Sequence, residues 1–236
     1  MLSIIHRKAA IRMKPYEKTV YAFGDSIVAG HYYPKASFIN YAAEGMGLRK
    51  FAINGATIMD IGYEGGQIAN QVRNAPAEAP DFVVFDGGTN DAEYMQENKT
   101  VGFGTVSEAA ETPDSYDCAT FAGAFEQTVY EMKRKWPHAK YIFTAVHKMG
   151  SRDREIQARL YELDMQICRK WGIAVADVYR DAALDTCDIL QKNRYTFDQL
   201  DETGLPGKNG SGTHPNLEGI MTFYVPIVKK AFCSLA

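Results

Sequence analysis

The sequence predicts an α/β protein, a three-layer α/β/α sandwich on a five-stranded parallel sheet. Two observations carry that expectation. Five short runs rich in Val, Ile, Phe or Ala are continuously apolar, as strands covered on both faces are. Between them lie segments whose apolar residues recur at helical spacing. Strand–helix alternation repeated along a chain is the pattern of a doubly wound sheet with right-handed crossovers.

Taken in order, the strand runs are Thr19–Phe23, Lys50–Ile53, Asp81–Phe85, Lys140–Ala145 and Ile173–Asp177. Phe121, Phe125, Val129, Met132 and Trp136 form one helical stripe, and Ile156, Leu160, Leu163, Ile167 and Trp171 form another. Trp136-Pro137 and Trp171-Gly172 stop those two helices. A last helix is expected from Pro215, a residue suited to the first helical position, towards Leu235. Two connections are long, Asp91 to Tyr116 and Asp181 to Thr213. Both leave carboxyl ends of strands, where open α/β sheets hold their ligands.

Composition narrows the function classes. The 236 residues are 46% hydrophobic, enough apolar surface to exclude disorder as the dominant state. With 26 Lys+Arg against 29 Asp+Glu the net charge is −3, which argues against a nucleic-acid surface. No apolar run reaches the ~18–20 residues of a membrane span. Residues 1–12 are partly basic but lack the apolar core of a signal peptide, so a cytoplasmic location is expected. Residues 1–16 read as an N-terminal extension and 17–236 as a single domain. Cys118, Cys168, Cys187 and Cys233 contain no CxxC pair and read as buried free thiols. No His/Asp/Glu spacing suggests a metal site, and neither GxGxxG nor GxxxxGK[ST] occurs, so no cofactor is expected.

The chemistry gathers at strand ends. The first strand runs into Gly24-Asp25-Ser26, a turn that exposes a serine hydroxyl beside the free N–H groups of a helix start. The same tripeptide also reads as an ordinary Asp/Ser helix cap. The second strand leads into Asn54-Gly55-Ala56, where glycine allows close backbone approach to a ligand. The third ends in Gly88-Thr89-Asn90-Asp91, with Asn90 offering a neutral N–H donor. Thr213-His214-Pro215-Asn216 delivers a histidine before the final helix. Together these supply a nucleophile, oxyanion donors and a base.

These four blocks, in this order and spacing, resemble those of the SGNH (GDSL-type) hydrolases over roughly residues 17–235. The resemblance implies a flavodoxin-like sandwich and hydrolysis of esters or thioesters through an acyl-enzyme, without metal or cofactor. It makes Ser26 the nucleophile and His214 the base, with the oxyanion held by the backbone N–H groups of Ser26 and Gly55 and the amide of Asn90. Asp25 and Asp91 would brace loops. One position departs: where the family has Asp three residues before the histidine, this chain has Ser211. The imidazole's orienter is then a backbone carbonyl or water, or an acid of the same loop, Asp198, Asp201 or Glu202, with Ser211 itself at best aligning the ring.

The remaining candidates divide between cleft and packing. Tyr32, Tyr33, Tyr94 and Phe103 line a cleft for a sugar or short acyl chain, or else pack elsewhere. His147 is a substrate contact or a support for the site, or an imidazole bonded to backbone, and His31, just after the Ser26 turn, reads as a surface residue before one that faces the crevice. The expected function is a serine esterase of small acyl esters, with carbohydrate deacetylation as the first substrate class. The alternative is an SGNH scaffold that binds carbohydrate or peptide with weakened catalysis. Partners are expected to be small-molecule or carbohydrate esters, not nucleic acid or membrane.

Overall fold

The structure, a computed structural model, describes residues 17–31, 36–63, 65–108, 115–197 and 210–235. Its centre is a parallel sheet of β1 (Thr19–Phe23), β2 (Gly47–Lys50), β3 (Phe82–Phe85), β4 (Lys140–Ala145) and β5 (Ala174–Asp177). The strand order is β2-β1-β3-β4-β5. Registers such as Phe23↔Phe85 and Phe85↔Phe143 align the carboxyl ends of the three central strands. Chain order reverses direction between β1 and β3, and such a switch point opens the crevice in which doubly wound sheets bind ligands.

Alternation along the strands divides the core into two halves. Tyr21 and Phe23 of β1 face one half, with Phe85, Phe121, Phe125, Phe143 and the fully buried Trp136. Val20 and Ala22 face the other, with Phe38, Ile39, Tyr224 and Val228. The first half is covered by α3 (Ile68–Asn74), α4 (Thr89–Glu97), α5 (Phe121–Lys135) and α6 (Arg154–Trp171). The second lies under α1 (Ser26–Ala29), α2 (Phe38–Ala42), α7 (Val178–Asp181) and the C-terminal helices. α8 (Ile189–Tyr195) buries no side chain completely and packs on α9 (Leu217–Gly219). α10 (Val225–Leu235) closes the described chain.

Both apolar stripes become helices that end near their expected stops. α5 has Trp136 as its C-cap, and α6 ends on the left-handed Gly172. Four expectations need correction. The second strand is Gly47–Lys50, not Lys50–Ile53, because this edge strand is polar while Ile53, at the end of the apolar run, is half exposed. The last helix begins at Leu217 with Asn216 as its N-cap, because Pro215 is bridged to Thr196. The long connections are not all loop: α4 lies in the first and α8 in the second. Of the four free cysteines only Cys168 is buried, while Cys187 and Cys233 are exposed.

The final helical stretch carries a π-helical turn, Ile220–Tyr224, between α9 and α10. Such turns often mark functional sites. Here it coincides with the placement of the buried Tyr224 hydroxyl against His147. Among the described residues no helix is long and apolar enough to cross a membrane.

Candidate active site

Construction of the site starts at Gly24. Its φ of +140° is open to glycine, and a Cβ there would lie 1.8 Å from Asp86 Oδ1. Gln71 holds this turn from below, accepting from the Gly24 N–H at 2.9 Å and donating to its carbonyl at 2.8 Å. The Asp25 N–H donates to Asp86 Oδ1 at 3.1 Å, and the Asp25 carboxylate caps α1 by accepting from the Ile27 N–H at 2.8 Å. Ser26 is therefore the first residue of a capped helix, with its backbone fixed on both sides. The cap reading and the nucleophile reading of Gly24-Asp25-Ser26 describe the same geometry.

Across the crevice, Ser26 Oγ lies 2.8 Å from His214 Nε2, although 188 residues separate them. The His214 segment is held along its length. Phe197 and Ser211 exchange a backbone bond with Ser211 donating, and the Phe197 N–H donates to the His214 carbonyl at 2.8 Å. Thr186 Oγ1 donates to the Gly212 carbonyl at 2.7 Å. The Ser211 hydroxyl accepts from the N–H groups of Thr213 and His214 at 3.2 and 3.3 Å. Ser211 thus shapes the turn that presents the imidazole and does not align the ring itself. Asp198, Asp201 and Glu202 lie outside the described residues, as do Tyr32 and Tyr33.

His147 belongs to the support of this loop and not to the cleft. It is fully buried, and Tyr224 ties it down twice. The Tyr224 hydroxyl accepts from the His147 backbone N–H at 3.2 Å, and lies 2.6 Å from Nδ1. That oxygen's own proton then goes to Nδ1, which leaves Nε2–H to donate to the Gly212 carbonyl at 3.3 Å. Burial pushes the His147 pKa down to about 4, consistent with this neutral tautomer.

Asn90 stands in the first turn of α4 and donates through Nδ2 to the Ala56 carbonyl at 2.8 Å, which brings it beside Gly55. Asp91 accepts from the N–H groups of Ile58 and Met59 at 3.0 and 2.9 Å, so it braces the loop that carries Gly55. Gly55 itself has a φ of +76°, in the left-handed region. Tyr94, one turn after Asn90 on the same face of α4, makes an edge contact with Tyr63 at 6.2 Å. Phe103 packs against the core instead of standing at the crevice.

His31 combines the two places the sequence allowed it, the surface and the crevice. Exposed to solvent at its edge, it nonetheless stacks on the His214 ring, with centroids 4.6 Å apart and planes 21° from parallel. Its Nδ1 meets Asn54 Nδ2 at 2.9 Å. Its position five residues after Ser26 was the available signal, since a four-residue helix turns the chain back over the site. Arg152 was missed. It donates to the Thr89 carbonyl at 3.0 Å and pairs with Glu93 at 2.7 Å, and no motif reports it.

Burial governs the electrostatics. It holds the His214 imidazole down at about 3, helped by the positive charges that His31, Arg152 and His147 can carry. Asp25 and Asp86 are both raised, first by burial and for Asp86 also by the charge of Asp25. Asp91 is raised to about 6 by burial, against the two backbone N–H groups it accepts. A neutral imidazole at hydrogen-bonding distance from a serine hydroxyl is an available proton acceptor.

A sequence model of the GDSL-like Lipase/Acylhydrolase family matches residues 22–220. The chain belongs to that family, and its class is that of ester hydrolases. No curated protein matches the chain in sequence. Among solved structures, a protein from Lactobacillus plantarum is similar at 20% identity and a TM-score of 0.67, over 94% of this chain and 97% of that one. Phospholipase A1 from Streptomyces albidoflavus is similar at 16% identity and a TM-score of 0.60, over 91% of this chain and 99% of that one. The lipase/acylhydrolase from Enterococcus faecalis has 18% identity and a TM-score of 0.54, over 90% and 94% of the two chains. At these identities the likeness establishes the shared SGNH fold, the flavodoxin-like sandwich that the four blocks imply.

Proposed function

We propose that this protein is a serine esterase that hydrolyses esters of short acyl groups through an acyl-enzyme, with acetylated carbohydrate as the substrate class. The 2.8 Å contact between Ser26 Oγ and His214 Nε2 carries the reading. In it, Oγ attacks the ester carbonyl carbon and its proton passes to Nε2. The C–O bond to the alcohol then breaks, and the alcohol leaves with that proton. Water, deprotonated by the same imidazole, cleaves the acyl–Oγ bond and restores the serine. The carbonyl oxygen, negative in each tetrahedral intermediate, is held by the N–H groups of Ser26 and Gly55 and by Asn90. Asn90 Nδ2 has two hydrogens; one is used on the Ala56 carbonyl, which orients the amide and leaves the second for the oxyanion.

Two observations support the substrate class. The recess at Ser26 and His214, lined by the rings of His31 and Phe197 together with Ile27, Ala36, Pro215 and Ile220, encloses only about 10 Å³. This suits an acetyl group better than a long chain. Tyr94, with Tyr63 beside it, offers aromatic faces one helical turn from Asn90, suited to the apolar face of a sugar ring.

The test is a fluorophosphonate serine probe together with an ester panel, p-nitrophenyl acetate to octanoate plus acetylated sugars. Wild type is expected to label, to prefer acetate, and to lose both properties in a folded Ser26→Ala protein. Absence of labelling at every pH would favour a binding protein on this scaffold. Undiminished hydrolysis by Ser26→Ala would remove the nucleophile assignment.

A further inference from the structure

We propose that His31 is a positioning residue for the base: its imidazole, tethered to Asn54, stacks on His214 and steadies the imidazolium formed when that ring takes the serine proton. This rests on the reading of Ser26 and His214 as nucleophile and base. The geometry is a closed circuit. Ser26 begins α1, and His31 follows it directly after the left-handed Gly30. Asn54 Nδ2 donates to His31 Nδ1, which fixes a neutral tautomer with its proton on Nε2. The flat ring then lies over His214 at 4.6 Å, and His214 returns to Ser26 at 2.8 Å. Because Asn54 precedes Gly55, the same tether joins the base to the turn assigned to the oxyanion.

A cation over a neutral aromatic face is stabilised electrostatically. His214 is cationic only after it accepts the proton, so this contact strengthens towards the transition state and acts on kcat more than on KM. The other described groups with charge near the pair are Arg152 and His147 on the β4 side, which lower the His214 pKa as His31 does. Asp25 and Asp86 lie buried beneath the Ser26 turn, and Lys50 sits behind α1 on the Ala29 carbonyl. None of these has a ring stacked on His214, so among the described residues the face of His31 is what meets the imidazole.

Rates of fluorophosphonate labelling and of p-nitrophenyl acetate hydrolysis, measured across pH, test this. At pH 8 His31→Ala is expected to lose roughly threefold to thirtyfold in kcat and in labelling rate, with KM nearly unchanged. His31→Phe restores a flat aromatic face and should recover most of that loss. Wild-type rates from a folded His31→Ala protein would overturn the proposal. So would equal impairment of Ala and Phe. A wild-type protein that neither labels nor hydrolyses would overturn the catalytic reading itself, and this inference with it. Labelling that ignores His31 overturns the inference alone.

Discussion

At Ser211 a single hydroxyl does two structural jobs, accepting the N–H groups of Thr213 and His214 at the turn before Pro215. An aspartate there would accept the same two bonds and add a charge three residues before His214. Ser211→Asp should therefore keep the fold and shift the acid limb of kcat/KM upward, since a nearby negative charge favours the imidazolium. With His214 as the proposed base, its pKa, pushed down to about 3 by burial, is expected to set that limb well below the ordinary histidine value of about 6.5. A limb that does not move would show that charge at position 211 does not reach the imidazole. Ser211→Ala, which strips both N–H groups of their acceptor, should lower kcat severalfold by loosening the turn. Unchanged kcat and thermal stability would show that water replaces the hydroxyl fully.

The decisive elements are short ones. The turn between β1 and α1 depends on a close approach: Gly24 lies against the Asp86 carboxylate, while the Gln71 side chain supplies the bonds that a neighbouring strand would otherwise make. Gly24→Ala brings a Cβ to 1.8 Å from Asp86 Oδ1 at a φ of +140°, so the turn must move. Displacements on this scale at a nucleophile cost on the order of 10²-fold in rate. The expected outcome is a fall in kcat of that size together with a lower Tm. The double variant Gly24→Ala/Asp86→Ala, relieved of the clash, should regain part of the stability. If the single variant melts and turns over like wild type, the close approach is not what constrains this turn.

At the scale of the whole molecule, four buried carboxyls among the described residues, those of Asp25, Asp86, Asp91 and Asp164, are raised chiefly by burial. A carboxyl whose folded pKa exceeds its unfolded value contributes stability fully below about pH 3.8 and loses it as pH rises through the folded value. His147 and His214 act in the opposite sense: their folded values near 4 and 3 lie below 6.5, so stability is complete above 6.5 and falls as pH drops. Asp164 is the best probe of the carboxyl effect. Its Oδ1 has no hydrogen-bond partner, and it lines a cavity of about 40 Å³ between α4, the end of β4 and α6. Asp164→Asn removes the ionisable group, and should raise Tm at pH 8 by at least about 2–4 °C, the shift that ~1 kcal/mol produces at this size. The gain should shrink towards pH 4. Equal gains at both pH values, or none, would refute the linkage.

Some of this was determined by sequence because it depends on neighbours along the chain. Continuous apolar runs, helical stripes and stop signals such as Trp171-Gly172 are local, and they placed four of the five strands, β1, β3, β4 and β5, and both long helices. The four blocks specified Ser26, Gly55, Asn90 and His214 as residues worth bringing together. Tertiary structure decided the rest, since burial and cross-chain pairing are properties of the packed molecule. The edge position of β2 made a polar segment the strand in place of the apolar Lys50–Ile53 run. Pairing of Pro215 with Thr196 moved the last helix start to Leu217. His147 looks like a crevice residue at a strand end, and only the approach of Tyr224 through the π turn buries it beneath the loop of His214. His31 can be read as a surface histidine or one that faces the crevice, and only a fold that joins residues 188 positions apart at the serine lays the two rings face to face. Periodicity reports which side of an element is buried; it does not report which distant side chain arrives to meet it.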